Sequence, residues 1–149
     1  MRLWSVLSVL PVFLVACGSA STVSLSVQLS DEAIQVQDSA FGASLSGGFR
    51  LRLELGSEAS GSTEVTPGNF ELQTEAGERL ADLRDAVPDT DYPIELNKGE
   101  SKQVGYMLNE IEVDRAAVCA GRVRIVGSVM DTLKGATVPV HGVPITPDC

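Results

Sequence analysis

Phe49-Arg50-Leu51-Arg52-Leu53-Glu54-Leu55 alternates apolar and charged residues without a break. In a strand, successive side chains point to opposite faces, so this run puts its four large apolar groups on one side and its three charges on the other. A helix would scatter the same groups around its circumference. The stretch is therefore a strand with one dry face, and a dry face needs a second layer to cover it. Val23 to Leu29, Asn69 to Gln73 and Val104 to Leu108 alternate in the same way. No segment carries helical periodicity over three turns. Short strands divided by Gly, Pro and Asp turns predict an all-β chain, an antiparallel β-sandwich of about seven to nine short strands.

The turn chemistry sets the expected boundaries. Asp31-Glu32 is read as a turn before a weaker run, Ala33 to Gln37, with Ile34 and Val36 on one side. Asp38 to Gly48, rich in Ser and Gly, is read as an irregular connection with Phe41 and Leu45 tucked against the core. Thr63 to Thr66 is a short strand stopped by Pro67-Gly68, a pair that favours a type II turn. Arg79 to Arg84 fits either a helical turn or a strand. Asp85 to Pro93, with two prolines, is a loop, and Asn97-Lys98-Gly99-Glu100 is a turn.

The last thirty or so residues allow a sharper expectation. Val123 to Met130 and Thr137 to Ile145 read as two strands around Thr132-Leu133-Lys134-Gly135-Ala136. Gly135 suits the left-handed position that closes a three-residue hairpin loop, which would pair Thr132 with Ala136. Counting outward from that pair sets His141 opposite Gly127, Val143 opposite Ile125, Ile145 opposite Val123 and Cys149 opposite Cys119. The predicted register thus brings Cys119 and Cys149 within disulfide reach. Pro139, Pro144 and Pro147 cannot donate ladder bonds, which puts the final strand at a sheet edge.

At the other end of the chain, Met1-Arg2 precedes an apolar run from Leu3 to Leu14 that is broken by Pro11. The run is too short to span a bilayer, which takes about 20 residues, and has the layout of a secretory signal. Leu14-Val15-Ala16-Cys17 resembles the lipobox of bacterial lipoproteins. The resemblance implies cleavage before Cys17, a diacylglycerol on its thiol and, often, acylation of the new amine. It divides the chain into a signal peptide at 1–16, a lipidated Cys17 with a short tether to residue 21, and a domain over 22–149. Gly18 stands where an aspartate would hold enteric lipoproteins at the inner membrane, so the expected location is the outer membrane in a Gram-negative source. The rival reading is cleavage after Ala20, which would release a soluble secreted protein. With Cys17 given to lipid, Cys119 and Cys149 remain as an even pair in an oxidising compartment, where a disulfide is the default.

The formal net charge is −9, and Arg2 is the only charged residue before Cys17. So acidic a chain lacks the cationic surface that nucleic-acid binding requires. His141 is the only histidine, has no readable nucleophile or carboxylate partner, and is expected to be packed rather than catalytic. Asp85, Asp89 and Asp91 could help to ligate Ca²⁺, but without EF-hand spacing the plainer reading is a solvated acidic loop. Glu110, Glu112 and Asp114 alternate with Ile111 and Val113, as on a strand with one wet face. Phosphate-binding glycine loops, nucleophile elbows and zinc motifs are absent, so no catalytic residue, resident metal or cofactor is expected.

Phe49 to Leu55, then Val65-Thr66-Pro67-Gly68-Asn69-Phe70-Glu71-Leu72 with Gly77, then Leu96-Asn97-Lys98-Gly99-Glu100, resemble the immunoglobulin-like domains carried by bacterial lipoproteins. The resemblance spans roughly residues 22 to 147 and implies an immunoglobulin-like sandwich with no catalytic residues to carry over. The expected function is that of a membrane-anchored envelope lipoprotein in a non-enzymatic binding or structural role. Its partners would be the bilayer, through acylated Cys17, and another envelope protein. A small-ligand or Ca²⁺-binding envelope protein is the second reading.

Overall fold

The alternating run at residues 49–55 is the second half of a strand twice as long. A computed structural model describes residues 24–40 and 42–149. In chain order its strands are β1 (Leu25–Ser39), β2 (Gly42–Leu55), β3 (Thr63–Thr74), β4 (Arg79–Asp82), β5 (Val87–Pro88), β6 (Ile94–Leu96), β7 (Ser101–Val113), β8 (Val123–Asp131) and β9 (Ala136–His141). One helical turn, α1 (Arg115–Val118), lies between β7 and β8. The strands form two antiparallel sheets, one ordered β1-β2-β7-β5 and the other β4-β3-β8-β9, with β6 also paired to β3. The sheets pack together as a β-sandwich. Phe49, Leu51, Leu53 and Leu55 are buried in it and Arg50, Arg52 and Glu54 are exposed, as the alternation requires. Each such buried side chain contributes about 1.5–3 kcal/mol of transfer free energy.

Several strands are much longer than their sequence signals, because bulges let them bend where turns were expected. Asp31 and Glu32 do not reverse the chain. They sit together opposite Phe49 as a bulge in β1, with Asp31 at φ 53°. Asn109 and Glu110 bulge β7 opposite Ser46 in the same way, with Glu110 at φ 50°. Between the two bulges β2 carries Gly47, at φ 127°, where a Cβ would lie 2.0 Å from the Ala33 carbonyl oxygen. Glycine is thus required where the bent backbones meet. Asp38, Ser39 and Gly42 to Gly48 accordingly belong to the ladder rather than to an irregular connection, and Leu45 is fully buried. The expected burial of Phe41 lies outside the described residues.

Pro67-Gly68 also fails to stop a strand. β3 runs through it, with Gly68 and Asn69 bulged opposite Ser128, and proline is tolerated at such an irregularity. Arg79 to Asp82 resolves as strand, and the 85–93 loop contributes the two-residue β5 against Tyr106 and Met107. Asp114 does not continue the Glu110–Glu112 stripe: its carboxylate accepts the Ala116 N–H at 2.9 Å and caps α1.

The closing hairpin differs from its predicted register by one residue. Asp131, not Thr132, pairs with Ala136, leaving a four-residue loop with Gly135 in the left-handed region at φ 60°. The Asp131 carboxylate makes the difference. Its Oδ1 accepts the Leu133 N–H at 2.9 Å and the Thr63 hydroxyl at 2.7 Å, which pins the loop to β3. His141 therefore faces Val126 rather than Gly127, and it is exposed rather than packed. Val143 does not pair with Ile125, whose carbonyl takes the Gly142 N–H at 2.7 Å. By Ile145 the slip has been absorbed, and that residue pairs with Val123 as expected. β9 lies at a sheet edge, where its proline is harmless.

Candidate functional site

Cys17, the residue to which the sequence assigns lipid, lies outside the described residues, as does the tether to Val23. The described chain starts at Ser24, whose carbonyl accepts the Gly56 N–H at 2.7 Å. That bond places the entry point at one end of the sandwich, beside the β2–β3 loop. The β6–β7 turn joins the same end, because Gly99 N–H donates to the Leu55 carbonyl at 2.8 Å.

The two remaining cysteines meet at the opposite end. Cys119 and Cys149 form a disulfide, with a Cα–Cα distance of 6.1 Å. It locks the C-terminal tail, which spans both sheets. Ile145 exchanges two backbone bonds of 2.8 and 2.9 Å with Val123 of one sheet. Asp148 donates to the Ile34 carbonyl and accepts from the Val36 N–H, each at 2.8 Å, on the other sheet. Arg115 bonds the Cys149 carbonyl and pairs with Asp38 at 3.0 Å, while Arg122 bonds the Pro144 carbonyl. The sequence signalled the disulfide but not the parallel bridge to β1, which joins residues more than a hundred positions apart.

The acidic loop does not gather its carboxylates. Asp85 and Asp91 are exposed. Asp89 is used structurally: its N–H donates to the Gly105 carbonyl at 2.9 Å and its Oδ1 accepts the Gly105 N–H at 2.9 Å. The side chain thereby extends the short β5 pairing by one step. Gly105 leaves room for it, since a Cβ there would lie 2.7 Å from Asp89 Oδ2. Among the described residues, no three His, Cys, Asp or Glu side chains come together to hold a metal ion.

Asp89 also borders a shallow, open concavity of about 640 Å³ on the outer face of the β1-β2-β7-β5 sheet. Its lining includes the glycines at 47, 48 and 105, which present backbone instead of side chains. Arg50 and Asp31 pair across it at 3.5 Å, both well exposed, and Met107 stands at its rim, 60% exposed. This arrangement can hold a small polar group, but it contains no nucleophile paired with a base.

Two polar features escaped the sequence reading. Asp131 is fully buried; its Oδ1 is bonded as described, while Oδ2 has no partner. Tyr106 stacks on Phe49 with ring centroids 4.7 Å apart, and its hydroxyl bonds that of Tyr92. Burial, reinforced by that hydrogen bond, raises the Tyr106 phenol far above its ordinary pKa, and burial raises Tyr92 as well. Both phenols therefore remain neutral packing groups. At the surface, the Arg84 guanidinium hydrogen-bonded to Asp82 holds that carboxyl below its usual range.

No family model and no curated protein matches the chain. A structural match is the X-ray structure of Northeast Structural Genomics Consortium target SoR45. It aligns with a TM-score of 0.50 at 11% sequence identity, covering 85% of this chain and 87% of that one. At that identity the likeness extends to the fold alone.

Proposed function

We propose that this chain is a membrane-anchored envelope lipoprotein whose sandwich serves as a non-enzymatic binding or structural module. The observation that carries this reading is Leu14-Val15-Ala16-Cys17-Gly18, placed just ahead of the first described strand at Leu25. Acyl chains on Cys17 would hold the protein firmly, because each buried CH₂ contributes about 0.8 kcal/mol and two or three chains act together. The partners are then the bilayer and another envelope protein. In a Gram-negative source the outer membrane is the expected site.

The strand order supports an immunoglobulin-like assignment for the module. Taken in chain order, β1-β2-β7-β5 corresponds to an A-B-E-D sheet, and β3-β8-β9 to C-F-G with β4 added beside C.

Labelled palmitate tests the anchor directly. The full chain, produced in a bacterium that processes lipoproteins, is expected to incorporate label, and a Cys17→Ser variant to lose it. No incorporation, or equal incorporation in both, rejects the reading in favour of a soluble secreted protein.

A further inference from the structure

β1 is an edge strand, and its two halves are finished differently. Along the second half, the Ile34 carbonyl and the Val36 N–H point away from β2 and are taken by Asp148. The Asp31–Glu32 bulge separates that stretch from the first half, Leu25 to Ser30. There Leu25, Val27 and Leu29 stand opposite Leu55, Leu53 and Leu51. Leu55 turns its N–H and carbonyl to Glu100 and Gly99, on the far side from β1, while the Ser24 carbonyl takes the Gly56 N–H. By the alternation of an antiparallel ladder, the backbone groups of Leu25, Val27 and Leu29 therefore point outward from the sheet edge. Among the described residues none of them has a backbone partner on that side.

The other sheet edges are blunted. β5 has two residues, one of them a proline, β4 has four with Arg79 and Asp82 at its ends, and β9 carries Pro139. The first half of β1 has neither a charge nor a proline to deter pairing. Val27 and Leu29 also remain half-buried, although Leu53 and Leu51 beside them are fully buried. Backbone and apolar side chains are thus both left unfinished along one short stretch.

That stretch is nearly palindromic about Val27. Moving outward, its flanking pairs are Ser26 and Gln28, Leu25 and Leu29, then Ser24 and Ser30. A two-fold axis through Val27 sets Leu29 of a second copy opposite Leu25, Val27 opposite Val27, and Gln28 of the second copy opposite Ser26. Because an outward-pointing residue lies on the axis, the leucine and valine pairs exchange about six ladder bonds. On the outer face, Ser26 is paired with Glu54 and Gln28 with Arg52. Each row across the joint therefore runs from Glu54 of one copy to Arg52 of the other, with opposite charges at its ends. An isologous contact uses one surface twice, and a palindromic edge meets that demand.

We propose that the first half of β1 is a self-association edge, on which a second copy of this chain pairs antiparallel about Val27. The two β1-β2-β7-β5 sheets then become one continuous sheet. The pairing does not depend on the lipid anchor, so either reading can fail without the other.

Cysteine crosslinking tests the register. Ser26→Cys and Gln28→Cys variants of the full chain are co-expressed in a bacterium, purified in mild detergent, oxidised, and resolved without reductant. In the proposed pairing, residues 26 and 28 of different copies lie about 4.5 Å apart between Cα atoms, whereas like cysteines in either variant alone lie about 7–8 Å apart on the diagonal, beyond disulfide reach. The mixed sample is therefore expected to form a 26–28 linked dimer at least about fivefold faster than either variant alone. Ser26→Lys/Gln28→Lys alters two exposed positions and sets lysines against each other across the joint. It is expected to keep the parent's melting temperature but to be monomeric in light scattering at concentrations where the parent is a dimer. Equal crosslinking rates in mixed and single samples, a monomeric parent, or a lysine variant that still dimerises overturns the pairing. A disulfide from either cysteine to another polypeptide, without the 26–28 link, overturns it in favour of an extended segment of a different protein.

Discussion

Cys119 and Cys149 are bonded at the end of the sandwich farthest from the chain's entry, and the residue before Cys149 is hydrogen-bonded to the opposite sheet. The disulfide therefore closes more than a hairpin. It secures a tail that holds β8 with Ile145 and β1 with Asp148, so its loss loosens the seam between the sheets.

For that reason the Cys119→Ser/Cys149→Ser variant is expected to fold but to be less stable. A crosslink with a sequence separation of 30 contributes about 3–4 kcal/mol in the loop-entropy model. For a domain of this size that corresponds to a melting temperature lower by about 10–15 °C. Calorimetry of the oxidised protein beside the variant checks it. A change below about 1 kcal/mol would mean that the hydrogen bonds alone hold the tail.

Gly127 supplies a second prediction. A Cβ there would lie 2.2 Å from the Phe70 ring and 2.9 Å from the Asn69 carbonyl oxygen, in the middle of the aromatic cluster. Gly127→Ala is expected to cost about 1–3 kcal/mol by overpacking. Gly121→Ala, whose Cβ meets nothing within 4 Å, is the control and should be near neutral. Urea midpoints of the two variants decide the matter.

The buried Thr63–Asp131 pair anchors the closing hairpin. Asp131→Ala removes the carboxylate that accepts from both the Thr63 hydroxyl and the Leu133 N–H and is expected to cost about 1–3 kcal/mol. Thr63→Ala should cost less. The double variant should show a coupling of about 0.5–3 kcal/mol, because the two side chains share one network. Additive effects in a double-mutant cycle would disprove the shared anchor.

Tyr106 predicts the alkaline limit. Its folded pKa is raised above the unfolded value of 10.0, chiefly by burial. Stability from this neutral phenol is therefore complete below pH 10.0 and is lost as pH rises above it, when the unfolded state ionises but the folded state does not. Tyr106→Phe keeps the ring on Phe49 and removes the titration. Its alkaline unfolding midpoint should move to higher pH relative to its neutral-pH stability, as followed by near-ultraviolet absorbance and circular dichroism.

The sandwich, its buried face and its disulfide were legible in the residues because each rests on a local signal. Alternation at Phe49–Leu55 fixes which side is dry, Gly135 marks the left-handed turn position, and three prolines mark an edge. The candidate sites were less legible. Asp85, Asp89 and Asp91 are adjacent in sequence, yet Asp89 turns to Gly105 and the other two remain in solvent. The concavity is floored by glycines from two strands, and no local pattern announces that they are neighbours.

What the sequence alone determined is therefore the class of layer, the dry faces and the cysteine pair, all consequences of period-two geometry and covalent chemistry. Only the tertiary structure decided where strands bend and which step the hairpin takes. Asp31-Glu32 and Pro67-Gly68 are sound turn signals in isolation, but in the fold their neighbours keep them in the ladder as bulges. Gly135 by itself suits a three-residue loop, yet a hydroxyl from Thr63, nearly seventy positions away, holds the Asp131 carboxylate that lengthens it. A buried hydrogen bond left unmade costs more than one extra residue in a turn, and only packing reveals which bonds are buried.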